Sequence, residues 1–337
     1  MSFGGRLKMA RKAKQLSMEK LAEQVGLSTM SISKYENNKM NPDSTMLLKL
    51  ANALDVKVEF FFRVFELELT PVKMRSHSRL SKSDERMVEA RVLEYVERYF
   101  EAISFLPDDK AAALPKKSFN SLDDIERVAL ELRKEWDIGL DPIDSLVRTL
   151  EDKGIIIYFV DSLEKLDALT FKANSTHVIA VKKDVPGDRQ RFNIAHELGH
   201  IILDIPEDMD EGEEEKAAHR FAGAFLVPEP VVRMELGEKR TYVSVEELYL
   251  LKHKYGLSIQ AWIRRGQDLG IITHHVYQSL MGMFSARGWR KQEPGDPYPS
   301  EETPKRFEQI IRKLYSEKAI SFSRAQELYG EPLEVFN

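Results

Sequence analysis

The sequence predicts a mainly α chain with a small β-sheet, an α+β arrangement in which an N-terminal head of five short helices precedes a larger body. Three observations predict it. Residues 5–62 alternate short helical patterns with Gly and Asn breaks. The period then changes to that of strands in two apolar runs, "IIIYFV" at 155–160 and "HVIAV" at 177–181. A long apolar helix, "RQRFNIAHELGHIILD" at 189–204, follows them.

The head reads as helices over Leu7–Lys14, Met18–Val25, Thr29–Glu36 and Thr45–Leu54, with Asp43 placed to cap the last. Residues 82–106 read as one long helix, with Ser81 as cap and Leu93, Val96, Phe100 and Ile103 on one stripe. The stripe lasts only about two heptads, so a bundle contact is expected rather than a coiled coil. "LPDDKAAALPKKSFN" at 106–120 reads as a linker. "SLDD" at 121–124 resembles a capping box and opens a helix with Ile125, Val128, Ala129 and Leu132 on one face. Another helix follows Pro142, carries Ile143, Leu146, Val147 and Leu150, and stops at Gly154. After the strands and the 189–204 helix, "EEEKAAHRFAGAFLVP" at 213–228 makes a further helix that Pro228 ends. "KQEPGDPYPSEETP" at 291–304 has four prolines in fourteen residues and reads as an extended linker before a short helical tail. The expected division is a head at 1–70, a helical connector and linker at 71–120, the main body at 121–290, and a Pro-rich linker with its tail at 291–337.

Composition excludes some function classes. With 42% hydrophobic and 31% charged residues the chain is an ordinary globular protein. No run of about 18 apolar residues is present to span a bilayer. The basic start "MSFGGRLKMARKAKQ" has no apolar stretch behind it, so no signal peptide is expected. Cysteine is absent, which excludes disulfides and thiolate metal sites and fits a cytoplasmic location. Any metal must sit on His, Asp or Glu. The net charge of −5 hides an uneven distribution. Residues 1–62 carry ten Lys/Arg against six Asp/Glu, a basic head suited to a polyanion. Residues 204–215 carry eight acids and no base, read as a solvated loop.

His196 and His200 stand four apart in "HELGH". On a helix they lie one turn apart on one face, so both rings can address one ion. Glu197 is rotated by about 100°, out of direct coordination but within reach of a water beside the ion, where it serves as general base. Phe192, Ile194, Ala195, Leu198, Ile201 and Ile202 make this helix apolar nearly all round, so the two imidazoles and the carboxylate are buried and need partners. A catalytic zinc takes three protein ligands and keeps one position open. Helical geometry leaves Glu214, Glu215 and His219 as candidates for the third ligand.

"FNIAHELGHIIL" followed by "EKAAHRFAGAFLVP" resembles the ImmA/IrrE family of zinc metallopeptidases, a zincin-like fold, over roughly 120–290. Aligning Phe221, Ala222 and Pro228 with the family pattern implies that Glu215 is the third ligand. His219 stands where the family has Asn, and Asn193 where it has Thr. The resemblance implies a zinc metalloendopeptidase of the HExxH type that hydrolyses a peptide bond, with Glu197 moving the proton. An oxyanion donor is also expected, from among His219, Tyr242, His253, His274 and His275.

In "SMEKLAEQVGLSTMSISKYENN" a helix, a break at Gly26 and a second helix capped by Ser28 follow one another, with Leu21, Ala22, Val25, Leu27 and Ile32 as the core between them. This is helix-turn-helix geometry. Residues 5–62 resemble the phage-repressor-like XRE family, which implies a double-stranded DNA operator as partner. Thr29, Met30 and Ser33 are expected at base edges, and Arg6, Lys34, Asn38 and Lys39 at phosphates. Met18 replaces the family's usual Gln. A homodimer is expected, with the 82–106 helix as its contact. The two resemblances together imply a regulator that cleaves a protein, a repressor, to control gene expression. The alternative is a non-proteolytic transcription factor or antitoxin whose zinc fold is structural or sensory.

Overall fold

The computed structural model describes residues 2–62, 67, 69–72, 80–106, 113–161, 166–206, 208–299, 302–330 and 333. The head is built of α1 (Phe3–Ala13), α2 (Met18–Val25), α3 (Thr29–Glu36) and α4 (Ser44–Leu54), closed by a 3-10 helix at Val58–Phe62. Four α-helices and one 3-10 turn thus stand where five short helices are expected. Ser2, Ser17, Ser28 and Asp43 each accept a backbone N–H at the start of these helices. Leu7, Leu21, Ile32, Leu50 and Leu54 are fully buried together, a core the head makes for itself.

A four-stranded sheet follows, with the order β1-β3-β4-β2. β1 is Leu69–Pro71, β2 Ile156–Val160, β3 Ala168–Ala173 and β4 Thr176–Lys182. β2 runs parallel to β4, while β3 runs antiparallel to both β4 and β1. The two strands with the longest apolar runs, β2 and β4, are those legible in the sequence. β1 has only three residues and β3 mixes Thr170 and Lys172 among its apolar ones, and neither was. One face of the sheet packs on α5 (Lys82–Ile103). The other carries Ile155, Ile157, Ile179 and Val181 into the main core with the helices behind it.

α5 is the spine of the molecule. Its Ala90 joins the core of the head, Val88, Val92 and Val96 pack under the sheet, and Ala102 meets the tail helices α14 (Arg306–Ser316) and α15 (Phe322–Tyr329). From Met87 to Ile103 no residue is exposed. Much of this stretch is half-buried against the head, the sheet and the tail, so what a partner copy could reach on α5 is a set of partly covered side chains. Arg6 corrects an expectation. It does not reach for phosphate but lies fully buried, and both its terminal nitrogens donate to Glu97 of α5, one of them at 3.1 Å. A cation read as free in sequence is spent on a carboxylate 91 residues away.

The body continues with α6 (Asp124–Glu135) and α7 (Leu146–Asp152), then α8 (Gly187–Ile202), α9 (Glu211–Leu226), α10 (Glu229–Leu236), α11 (Val245–Tyr255), α12 (Ile259–Asp268) and α13 (His274–Ala286). The capping-box bonds are present at the start of α6: Asp124 N–H donates to Ser121 Oγ at 3.3 Å and Ser121 N–H to Asp124 Oδ2 at 3.1 Å. The segment expected as a free linker, 291–304, is fastened at two of its glutamates. Glu293 accepts from the Ile259 and Gln260 N–H groups at the start of α12 and pairs with buried Lys252. Glu302 accepts from Leu146 and Val147 N–H at the start of α7 and pairs with Arg191 of α8 at 2.5 Å. Helix N-termini attract carboxylates, so two acids hold a strap that prolines made look loose. Among the described residues no helix is long and apolar enough to cross a membrane.

Candidate metal centre and DNA-facing helix

α8 is positioned before its histidines begin. Arg191, one turn upstream, donates to Glu302 and to the Ile143 carbonyl at 2.7 Å. Gln190 donates to the Lys182 and Lys183 carbonyls just after β4. Past the histidines, Gly199 lets α9 come close: a Cβ there would sit 3.2 Å from Ala218 Cα and 3.2 Å from the Phe221 ring. That close approach brings the first acids of α9 to the two imidazoles.

Three ligand atoms converge, one each from His196, His200 and Glu215, all within 4.8 Å of one another. His196 Nε2 and His200 Nε2 are 3.1 Å apart. The Glu215 carboxylate faces both, at 3.2 Å from His196 and 3.4 Å from His200. Of the two neighbouring acids, Glu214 turns to the far side of the same ring, with Oε1 at 3.1 Å from His200 Nδ1. The two therefore do different work. A carboxylate at Nδ1 holds the proton there and leaves the Nε2 lone pair directed at Glu215 and His196. Three acceptors pointing at one another repel unless a cation or proton sits between them, and two imidazoles with a carboxylate are a donor set that zinc accepts. Burial pushes the Glu215 pKa up, but where protons rather than a cation fill the gap, hydrogen bonds and charge from protonated His196 and His200 outweigh it and hold the carboxyl well below the usual range.

Glu197 stands beside this group on the same helix. Its Oε2 accepts from Thr170 Oγ1 at 2.6 Å. Thr170 is a buried residue of β3, and its carbonyl accepts from Val72 N–H at 2.9 Å. The sheet thus orients the carboxylate through one hydroxyl. Sequence reasoning missed Thr170 because β3 itself was not recognised. Of the residues considered as oxyanion donors, His219 is the one with a ring contact to the triad, its centroid 4.4 Å from that of His196. Its Nδ1 lies 2.7 Å from the Glu215 carbonyl, which only an N–H can satisfy. Tyr242 is exposed, His253 packs on Tyr249, and His274 meets Gln267.

In the head, Thr29, Met30 and Lys34 are exposed on α3 and Ser33 is half-buried, while Ile32 and Tyr35 turn inward. Met30 leaves 68% of its surface open, large for an apolar side chain. Asn38, also exposed, accepts from Gly4 N–H at 2.9 Å and donates to Ser2 Oγ at 2.8 Å, so its amide ties the end of α3 to the start of α1. Lys34→Ala is expected to weaken DNA binding alike at all sequences and to lower the salt slope by about one, because a phosphate contact carries no sequence information. Thr29→Ala is expected to relax discrimination at one base position by roughly 1–3 kcal/mol. Titration against operator and scrambled duplexes at two salt concentrations checks both. Equal, salt-independent binding to the two duplexes would contradict them.

Residues 7–61 match the family model described as helix-turn-helix, and residues 150–265 match that described as IrrE N-terminal-like domain, a peptidase family. Over 61 residues the chain is 38% identical to the SPbeta prophage-derived uncharacterized HTH-type transcriptional regulator YonR of Bacillus subtilis (strain 168). That match covers 18% of this chain and 56% of the relative, so the chain spans about half the length of the curated relative it resembles. The helix-turn-helix match takes in the later part of α1 and all of α2 to α4, and the second match takes in the strands β2 to β4, the converging His196, His200 and Glu215, and Glu197 beside them. The chain thus carries a segment similar to XRE-type helix-turn-helix domains, followed by one similar to the IrrE N-terminal-like domain.

Proposed function

We propose that the chain is a DNA-addressed zinc peptidase that cleaves a regulatory protein, a repressor, and so controls gene expression. Residues 1–70 address the DNA and residues 121–290 carry the chemistry. The observation that supports this reading most is the convergence of His196, His200 and Glu215 next to a carboxylate, Glu197, that lies outside the ligand set but beside it.

Zinc held by His196, His200 and Glu215 would polarise a carbonyl and make water nucleophilic at neutral pH. The chain's own groups then have separate tasks. Glu214 keeps the His200 ring in the tautomer whose Nε2 is free to ligate. Thr170 fixes one oxygen of Glu197, leaving the other, Oε1, to take a proton from the attacking water and hand it to the leaving amide nitrogen. His219 borders the site beside His196 and, with Nδ1–H held by the Glu215 carbonyl, would present an Nε2–H to charge developing on the substrate carbonyl in its imidazolium form. The helix-turn-helix concentrates this activity at an operator, where a DNA-bound repressor is within reach. Two copies on a two-fold site fit this reading.

The test is incubation of the purified full chain with the helix-turn-helix repressor encoded beside its gene, with and without a chelator. One or two defined fragments are expected, absent when metal is removed and restored by zinc. An intact repressor in every lane, with zinc bound and operator DNA present, would favour the non-proteolytic alternative.

A further inference from the structure

Beside the His219 edge of the triad lies a cavity of about 640 Å³, a size suited to a small ligand or a short piece of peptide. His219 and Phe192 form part of its wall, and the His219 ring also touches His196. Cavity and candidate metal centre therefore share a border. Two kinds of surface line it. Leu122, Ala261, Met281 and the ring of Tyr277 are apolar. Lys216, Arg220, Arg264, Arg265 and Arg290 are cationic, against one lining carboxylate, Asp268.

The pairing of these cations decides what the wall can bind. Arg220 and Arg265 both donate to Glu126, and Arg264 pairs with Asp268 at 2.8 Å. Arg290 donates only to neutral oxygens, Ser285 Oγ at 3.0 Å and the Met281 carbonyl at 3.4 Å. Among the described residues no carboxylate pairs with Lys216 or Arg290. Arg265 is 2% exposed, and its Nε has no hydrogen-bond partner among the described residues. A buried donor left unmatched calls for an acceptor, and a wall with surplus positive charge favours an anionic one.

We propose that this cavity is a substrate-recognition pocket for the part of the peptide on the His219 side of the metal centre. An apolar side chain packs against Tyr277 and Met281, and an acidic residue next to it faces Lys216 and Arg290, the two lining cations without a carboxylate among the described residues. The proposal rests on the peptidase reading for its purpose, but the pocket's preference can be read without catalysis. A basic residue at the same place meets like charge and is excluded.

The probes are fluorescently labelled peptides that carry Leu-Glu, Leu-Gln, Leu-Lys or Ala-Glu in an otherwise alanine sequence. Each is titrated against the chelator-treated full chain and followed by anisotropy. The Leu-Glu peptide is expected to bind about ten-fold more tightly than Leu-Lys, the sum of a few partly exposed ion pairs, with Leu-Gln between. The double substitution K216E/R290E, at two exposed side chains, is expected to reverse the order. Equal binding of the Glu, Gln and Lys peptides, or an order that survives the double substitution, overturns the proposal. So does Ala-Glu binding as well as Leu-Glu with inorganic phosphate displacing both, which describes an anion site and not a peptide pocket. The same peptides are then offered to the zinc-loaded chain. Ordered binding without hydrolysis supports the pocket and counts against the peptidase. Hydrolysis indifferent to the acidic residue overturns the pocket and leaves the peptidase standing.

Discussion

Glu197→Gln is expected to keep its metal and lose repressor cleavage by roughly 100-fold or more, at the scale of a lost general base. The amide is nearly isosteric and can still meet the Thr170 hydroxyl, which donates to Glu197 at 2.6 Å in the wild type. What it cannot do is accept the proton of the attacking water. Single-turnover cleavage of the neighbouring repressor, with metal content measured on the same sample, separates the two properties. A variant that cleaves at the wild-type rate would remove Glu197 from the chemistry. Thr170→Val offers a graded companion: the carboxylate stays, its orientation is released, and a smaller loss is expected.

The largest effect on stability is expected at Glu126 of α6. Its carboxylate receives Arg265 of α12 at 2.5 and 2.7 Å and Arg220 of α9 at 2.5 Å. Removing it leaves the nearly buried Arg265 without a carboxylate, while Arg220 keeps Asp268 at 3.4 Å, so Glu126→Ala should cost about 3–5 kcal/mol. The pH dependence has a definite sign. Burial raises the Glu126 pKa, but the hydrogen bonds and charge of Arg265 and then Arg220 outweigh it, and the net shift is downward. A carboxyl that titrates lower in the folded chain than in the unfolded one stabilises the fold above its ordinary pKa of 4.5. That stabilisation is lost as pH falls through the depressed folded value. The gap in urea midpoint between wild type and Glu126→Ala should therefore be full at neutral pH and narrow in acid. A gap that stays constant down to about pH 3 would show that the ionised carboxylate is not its source.

Local chemistry was legible in the sequence and long-range pairing was not. His196, Glu197 and His200 could be read because their spacing is a property of one helix. Glu214 and Glu215 sit on neighbouring positions of another helix, and periodicity alone could not choose between them. The choice depends on how closely α9 approaches α8, which Gly199 permits. In the structure the two acids address opposite nitrogens of the same imidazole. Arg6 looked like a phosphate contact because its partner, Glu97, is distant in the chain. The 291–304 strap looked like a free linker because prolines dominate its composition, whereas Glu293 and Glu302 anchor it to helix starts far away. β1 and β3 escaped notice for a related reason: β1 has only three residues, β3 breaks its apolar run with Thr170 and Lys172, and each is held by the strand beside it.

The central claim is that His196, His200 and Glu215 hold one zinc ion. Metal content of the purified chain, compared across Glu215→Ala and Glu214→Ala, tests it most directly. The geometry predicts about one equivalent in the wild type, near-total loss in Glu215→Ala, and a roughly 10- to 100-fold weaker but persistent affinity in Glu214→Ala, which loses only the support of His200 Nδ1. Full zinc in Glu215→Ala together with its loss in Glu214→Ala would contradict the assignment.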